Sequence, residues 1–447
     1  MATLTPPSDV KDPGPGRGGR GKGSPRAGSS RRSTDIAPSP GRALALWLRS
    51  VLDRPLTSYH LVLGSVALLL VVGLMMVLSA SSVLALTSEG DSYYYVKRQL
   101  IFLGIGAVGA VVIMRMPVGV LRLVSWAGMG LAVLLLVLTY TPLGMEINGN
   151  RNWLSTGVAG FGIQPAEFAK LAMVVWGADV LARKQKLLDR PFHLLVPFLP
   201  GALLVIALVV FQGDAGTAVV LAGIVAGMLW IVGAPGRVLA GLAGVGFLGI
   251  VGLFVTSPVR MRRLAAFLDP TVNVNGINDQ AQAGMYAIAS GGWWGMGLGG
   301  SRQKWGSLPE AHTDFIFAVL GEEFGLFGSL VVLALIGLLG YAGFRIAARS
   351  DDPFSRYAAG GVTCWFVVQS LFNLAVVLRL LPIAGVPLPL VSYGGSALIA
   401  NLIAVGVLLG CARREPAARA LLAARRSEKP RVTVTTGTTT RRTRSRA

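Results

Sequence analysis

The sequence predicts an all-α polytopic membrane protein. It has about ten transmembrane helices, a large outside loop between the seventh and eighth, and both tails in the cytoplasm. Three observations lead there. Of 447 residues, 53% are hydrophobic and only 14% are charged, and mean hydropathy is +0.62, whereas soluble domains carry about 25% charged residues. Apolar runs close to the ~20 residues that a helix needs to cross a bilayer recur along the chain. Basic residues alternate between successive connections, as the positive-inside rule requires.

The runs cover about 59–86, 100–116, 119–140, 165–183, 194–211, 217–233, 238–256, 314–345, 356–380 and 391–411. The run 314–345 exceeds one bilayer thickness, so a tilt or protrusion is expected. Pro382, Pro387 and Pro389 interrupt the chain between the last two runs, which predicts a bent or re-entrant connection. Arg115 and Arg122, then Arg183, Lys184, Lys186 and Arg190, then Arg237, then Arg345, Arg349 and Arg356 fall at alternate connections and assign them to the cytoplasm. The opposite connections include the long loop 257–313, which carries Arg260, Arg262, Arg263, Arg302 and Lys304 against that rule.

Residues 1–55 are rich in Gly, Pro, Ser and Arg and read as a disordered basic tail. Residues 56–411 form the membrane domain. Residues 412–447 form a second basic tail, with 412–426 suited to an amphipathic surface helix. The formal charge of +20 sits mostly in these tails. It is assigned to topology and anionic lipid, not to nucleic acid. Cys364 and Cys411 lie in apolar runs, and His60, His193 and His312 are far apart, so neither a disulfide framework nor a metal motif is present in the sequence.

Charged residues inside or beside apolar runs mark candidate sites, because one charge near the centre of a spanning helix costs about 2.5–3.5 kcal/mol. Asp314 stands where the polar stretch Leu308–Thr313 turns into an apolar helix, with Glu322 and Glu323 about two turns deeper. Thr313 or Asp314 could equally cap that helix. Glu167 and Lys170, three apart, share a helix face as a structural or catalytic pair. Asp214 is either a helix cap or a partner for a cation. Arg151, beside Trp153, is either a snorkelling side chain or an anion clamp. Arg260 and Arg263 suit phosphate oxygens, whether of a ligand or of lipid head groups. Gly291–Gly300 superficially matches a dinucleotide fingerprint, but no strand precedes it, so close loop packing is expected. Ser392 resembles an N-cap for the last run. On these residues alone a transporter and a membrane enzyme stand level.

Together and in this order the motifs resemble the SEDS family (shape, elongation, division and sporulation). The resemblance rests on Arg151-x-Trp153, Gln164-Pro-x-Glu-Phe-x-Lys170, Gln212-x-Asp-x-Gly216, Arg263…Phe267-x-Asp-Pro270, Pro309-Glu-Ala-His-Thr-Asp-Phe-Ile-Phe317, Gly321-Glu-Glu323 and Ser392-Tyr-Gly-Gly-Ser396. It is nearer the division (FtsW) branch than the elongation (RodA) branch. Arg379 stands where the family usually has Gly, and Ile383-Ala384, Thr271 and Asp279 also depart from its pattern.

The resemblance implies a peptidoglycan glycosyltransferase that polymerises lipid II at the outer face of the cytoplasmic membrane during septal wall synthesis. It would work with a class B penicillin-binding protein and other divisome proteins. It implies Asp314 as the catalytic carboxylate. Arg151, Arg260, Arg263 and Lys304 become candidates for the departing pyrophosphate. Glu167, Lys170, Asp214, Glu322 and Glu323 become charges that order the cavity. Mg2+ or Mn2+ is a candidate helper. The rival expectations are a lipid II flippase and a non-catalytic division scaffold.

Overall fold

The computed structural model describes residues 53–147, 149–155, 157, 162–187, 195–256, 258–269, 277–306 and 308–427. Each of the ten apolar runs falls on a helix. These are α1 (Thr57–Glu89), α2 (Tyr94–Arg115), α3 (Val118–Leu138), α4 (Pro165–Arg183), α5 (Phe198–Phe211), α6 (Ala215–Val232), α7 (Gly236–Thr256), α10 (Ile316–Arg349), α11 (Pro353–Val377) and α12 (Gly395–Arg413). Seven of them are long and apolar enough to cross a membrane. The exceptions are α4, which carries Glu167, Lys170, Asp179 and Arg183, the 14-residue α5, and α7, which is counted only over Gly236–Gly252.

The long outside loop has helices of its own, α8 (Pro258–Leu268) and α9 (Ile277–Gly291). An amphipathic α13 (Pro416–Ser427) follows α12. The connection between α3 and α4 contains a small antiparallel sheet in the order β1 (Gly144–Ile147), β2 (Asn150–Ser155), β3 (Gly162–Ile163). Pairing starts at Gly144 opposite Leu154 and at Leu154 opposite Ile163.

The core runs through the helices as a bundle. Helix α11 packs on α4, α6 and α10, while α12 packs on α2. Trp365, Phe354, Phe198 and Met173 are fully buried within it. In a bilayer the hydrophobic effect does not drive helices together, so close contact and polar bonds must do so. Gly406 and Gly361 supply such close approaches, to Ala110 and to Val174 and Met228.

The long run is not merely tilted. Helix α10 breaks at Gly325, whose φ of 66° and ψ of −162° lie outside helical space. A side chain at Gly325 would place its Cβ 2.4 Å from the backbone N of Gly295, so only glycine fits. The freed backbone bonds are taken up by the glycine-rich loop after α9. Met296 N donates to Glu322 O (2.9 Å), Gly297 N to Glu323 O (3.0 Å), and Leu326 N to Gly292 O (2.9 Å). This contact accounts for the glycines at 291–300 without any nucleotide.

Two capping expectations are corrected. The first residue before α10 is Phe315, and neither Thr313 nor Asp314 caps it; Thr313 Oγ1 instead bonds Glu310 Oε2 at 2.7 Å. Helix α12 starts three residues after Ser392, whose Oγ accepts from Leu388 N (2.9 Å) inside the preceding loop.

Candidate active site

Asp314 is held by its backbone and open at its side chain. Its carbonyl accepts from Asn373 Nδ2 at 2.8 Å, and the same nitrogen donates to Val386 O at 2.8 Å. Two residues earlier, His312 O accepts from Tyr393 N at 3.0 Å. The stretch before α10 is therefore pinned between α11 and the segment 378–394. That segment folds back as expected: Gln369 Nε2 on α11 donates to Pro387 O at 2.8 Å. Among the described residues, none donates a hydrogen bond to the Asp314 carboxylate.

That carboxylate lines a cavity of about 960 Å3. Asp214, Gln164, Asn152, Trp153, Glu310 and Arg98 also line it. Burial, then the charges of Glu310 and Asp214, push the Asp314 carboxyl up to about 7. Burial of His312 lowers its proton affinity, against the pull of Glu310, which favours the neutral ring. It packs on Tyr95 at 4.9 Å and on Tyr393 at 5.5 Å between ring centres. Burial pushes the Tyr393 phenol up to about 12.

Asp214 is both a cap and a cavity group. Its Oδ1 accepts from Thr217 N (2.9 Å) at the start of α6, and its Oδ2 from Asn152 Nδ2 (3.0 Å) and Gln164 Nε2 (3.3 Å). The α3–α4 sheet, through Asn152 on β2, thereby fixes one cavity wall.

The other predicted residues lie elsewhere. Glu167 and Lys170 form a buried ion pair at 2.9 Å, and Lys170 Nζ also donates to Gln369 Oε1 at 2.7 Å. Through Gln369, the pair steadies the segment that carries Pro387. Lys304, a candidate for pyrophosphate, is not on the cavity. Its Nζ is buried against Glu323 Oε1 (3.3 Å), Ser79 Oγ (3.1 Å) and Gly299 O (2.8 Å). It is the cation that the buried Glu323 carboxylate requires. Glu322 accepts from Ser301 Oγ (2.5 Å) and Arg302 N (2.9 Å). Arg151 is also off the cavity: it is exposed, with Nη2 on Thr141 O at 2.8 Å. The side chains of Arg260 and Arg263 lie outside the described residues.

Sequence reasoning missed Arg98. It lines the cavity from the start of α2, where its guanidinium sits 5.4 Å from the Tyr94 ring centre and 5.9 Å from that of Phe102. The signal was available: Lys97-Arg98 opens a spanning helix on its outer side, against the charge rule. Gln369 and Asn373 were missed too. They are polar residues inside an apolar run, where a hydrogen-bonding task is the default expectation.

Among the described residues, no three His, Cys, Asp or Glu side chains come together as a metal-holding group.

Comparisons with known proteins agree with this architecture. The model of the cell cycle protein family FtsW/RodA/SpoVE matches residues 59–416. The probable peptidoglycan glycosyltransferase FtsW of Mycobacterium tuberculosis is 39% identical over 406 residues, covering 90% of this chain and 76% of the relative. Stage V sporulation protein E of Bacillus subtilis is 40% identical over 347 residues, 77% of this chain and 94% of the relative. A chain from a structure titled for coordination of polymerization and crosslinking by a peptidoglycan synthase complex superposes with a TM-score of 0.66 at 28% identity, covering 79% of this chain and 97% of that one. The rod shape determining protein RodA of Thermus thermophilus gives 0.57 at 27% identity, covering 79% and 96%.

Proposed function

The chain belongs to the FtsW/RodA/SpoVE family of cell cycle proteins, and from that premise we propose that it polymerises lipid II with Asp314 as general base. It is a multi-pass membrane protein and a peptidoglycan glycosyltransferase. The observation that carries the mechanism is the Asp314 carboxyl, aimed into a cavity of about 960 Å3 and titrating at about 7.

A base works best when its proton affinity matches the working pH. Near neutrality Asp314 is ionised in a large fraction of molecules, yet basic enough to take a proton. It accepts that proton from the attacking sugar hydroxyl. The hydroxyl oxygen forms a bond to the anomeric carbon of the second lipid-linked sugar from the opposite face, with inversion. The bond from that carbon to the diphosphate oxygen breaks, and its electron pair leaves with the polyprenyl diphosphate.

Charge developing on the leaving oxygens calls for fixed donors. Arg98 is the cation that the described cavity wall offers, and Arg260 and Arg263 of the outer loop remain candidates. Glu167, Lys170, Asp214, Gln369 and Asn373 position the walls and touch no reacting atom. Lys304, Glu322 and Glu323 hold the break in α10.

The crosslinking partner is a class B penicillin-binding protein, and the site of action is the division septum. Support for both comes from the synthase complex among the structural relatives and from the FtsW-named relatives. The test is polymerisation of lipid II by the purified protein with its transpeptidase, comparing wild type with Asp314→Asn. Glycan strands from the wild type and none from the variant are expected. Equal strand formation by both would overturn the assignment.

A further inference from the structure

The group of charges least used by this mechanism lies at the far end of α4. Asp179 is wholly buried there and accepts three hydrogen bonds. Arg122 Nε of α3 donates to Oδ1. Trp126 Nε1 and Arg183 Nε donate to Oδ2 at 2.8 and 2.7 Å. Glu167 and Asp179, 12 positions apart on one helix, are ~18 Å apart along its axis. The cluster is thus remote from the cavity walls.

Both arginines spend their Nε on Asp179. Among the described residues, neither Nη pair has a hydrogen-bond partner. The two side chains are 31% and 56% exposed, so both forks are reachable from outside. One carboxylate neutralises one guanidinium and leaves the other in excess. The plane of Arg122 is fixed further by the buried Phe354 ring, 6.0 Å away. Trp126 is 46% exposed beside them, as expected for a ring at head-group depth. The adjoining connections carry Arg115 and Lys186 and face the cytoplasm by the charge rule.

We propose that Arg122 and Arg183, oriented by Asp179, form a binding site for the phosphate of an anionic phospholipid head group in the cytoplasmic leaflet. A planar guanidinium held at Nε presents its two Nη groups in the spacing of two phosphate oxygens. Basic clefts between helices on this side suit anionic head groups. The second, half-exposed fork is the surplus that a ligand explains.

The test uses the full chain in bilayer discs of phosphatidylcholine, with and without phosphatidylglycerol, and reads the thermal midpoint. Phosphatidylglycerol should raise the midpoint of wild type and of Arg237→Gln, an exposed arginine elsewhere on the same side. In Arg183→Gln most of that rise should be lost, with head-group affinity down about fivefold, the contribution of one basic group near an anionic surface. Arg122→Lys keeps a charge against Asp179 but loses the fork, and carries the same expectation should Arg183→Gln fail to fold. Inorganic phosphate added to phosphatidylcholine discs should not reproduce the effect. An undiminished response in the folded variants overturns the proposal, and so does full protection by free phosphate.

Discussion

Asp314→Asn is expected to move activity and stability in opposite directions. Folding lifts the Asp314 carboxyl from its ordinary 3.8 to about 7, first by burial and then through Glu310 and Asp214. Between those two values the folded protein binds the proton more tightly than the unfolded chain, so stability falls as pH rises through this window. Below about pH 4 the penalty is absent, and above about pH 7 it is complete. A gap of about three powers of ten, at about 1.4 kcal/mol each, sets it at about 4 kcal/mol at most, less where water reaches the partly open carboxylate. Asparagine carries no such penalty. At pH 8 the variant should therefore melt above the wild type, and near pH 4 the two should converge.

Activity should run the other way. Loss of a general base lowers rate by about 10²–10⁴. In the wild type, polymerisation should decline with acid about a midpoint near 7, about tenfold down by pH 6. Glu310→Gln removes the larger neighbouring charge and should shift that midpoint downward. The assays are strand formation from lipid II across pH, by gel, and thermal unfolding of the same samples. Strand formation by Asp314→Asn at wild-type rate, or a midpoint for it at pH 8 below that of the wild type, would refute the reasoning.

Four further outcomes are expected. Lys304→Met leaves Glu323 buried without its cation and should cost about 3–5 kcal/mol, read as loss of folded, monodisperse protein; Arg151→Ala, exposed and bonded to a carbonyl, should stay within about 0.5 kcal/mol of wild type. Arg379→Gly should stabilise by about 1 kcal/mol and raise the thermal midpoint, because Arg379 ends α11 at φ 55° in a Schellman turn, with Arg379 N on Val376 O (3.0 Å) and Leu380 N on Ala375 O (2.7 Å), a position that favours glycine. Arg98→Ala should lower the rate of polymerisation about 100-fold at unchanged folded yield, as loss of a donor to developing charge does; an unaltered rate would remove Arg98 from the mechanism.

The sequence by itself determined the helices and the acid. Apolar length is a local property that the bilayer enforces, so the ten runs landed on ten helices, and Asp314 stood out because a carboxyl at a helix mouth is costly. Asp214 as a cap was likewise local, its partner Thr217 being three residues away. Only the tertiary structure decided what each charge is for. Lys304 looked like a ligand for phosphate until Ser79, more than 200 positions earlier, and Glu323 were found around it. Arg98 went unnoticed until α2 was seen to place it on the cavity. The place of the β1–β3 sheet depends on Asp214, which Asn152 reaches from β2, and the break at Gly325 on backbone from the glycine-rich loop. A charge in a membrane protein is defined by what neutralises it, and that neighbour is chosen by packing, which spacing along the chain does not encode.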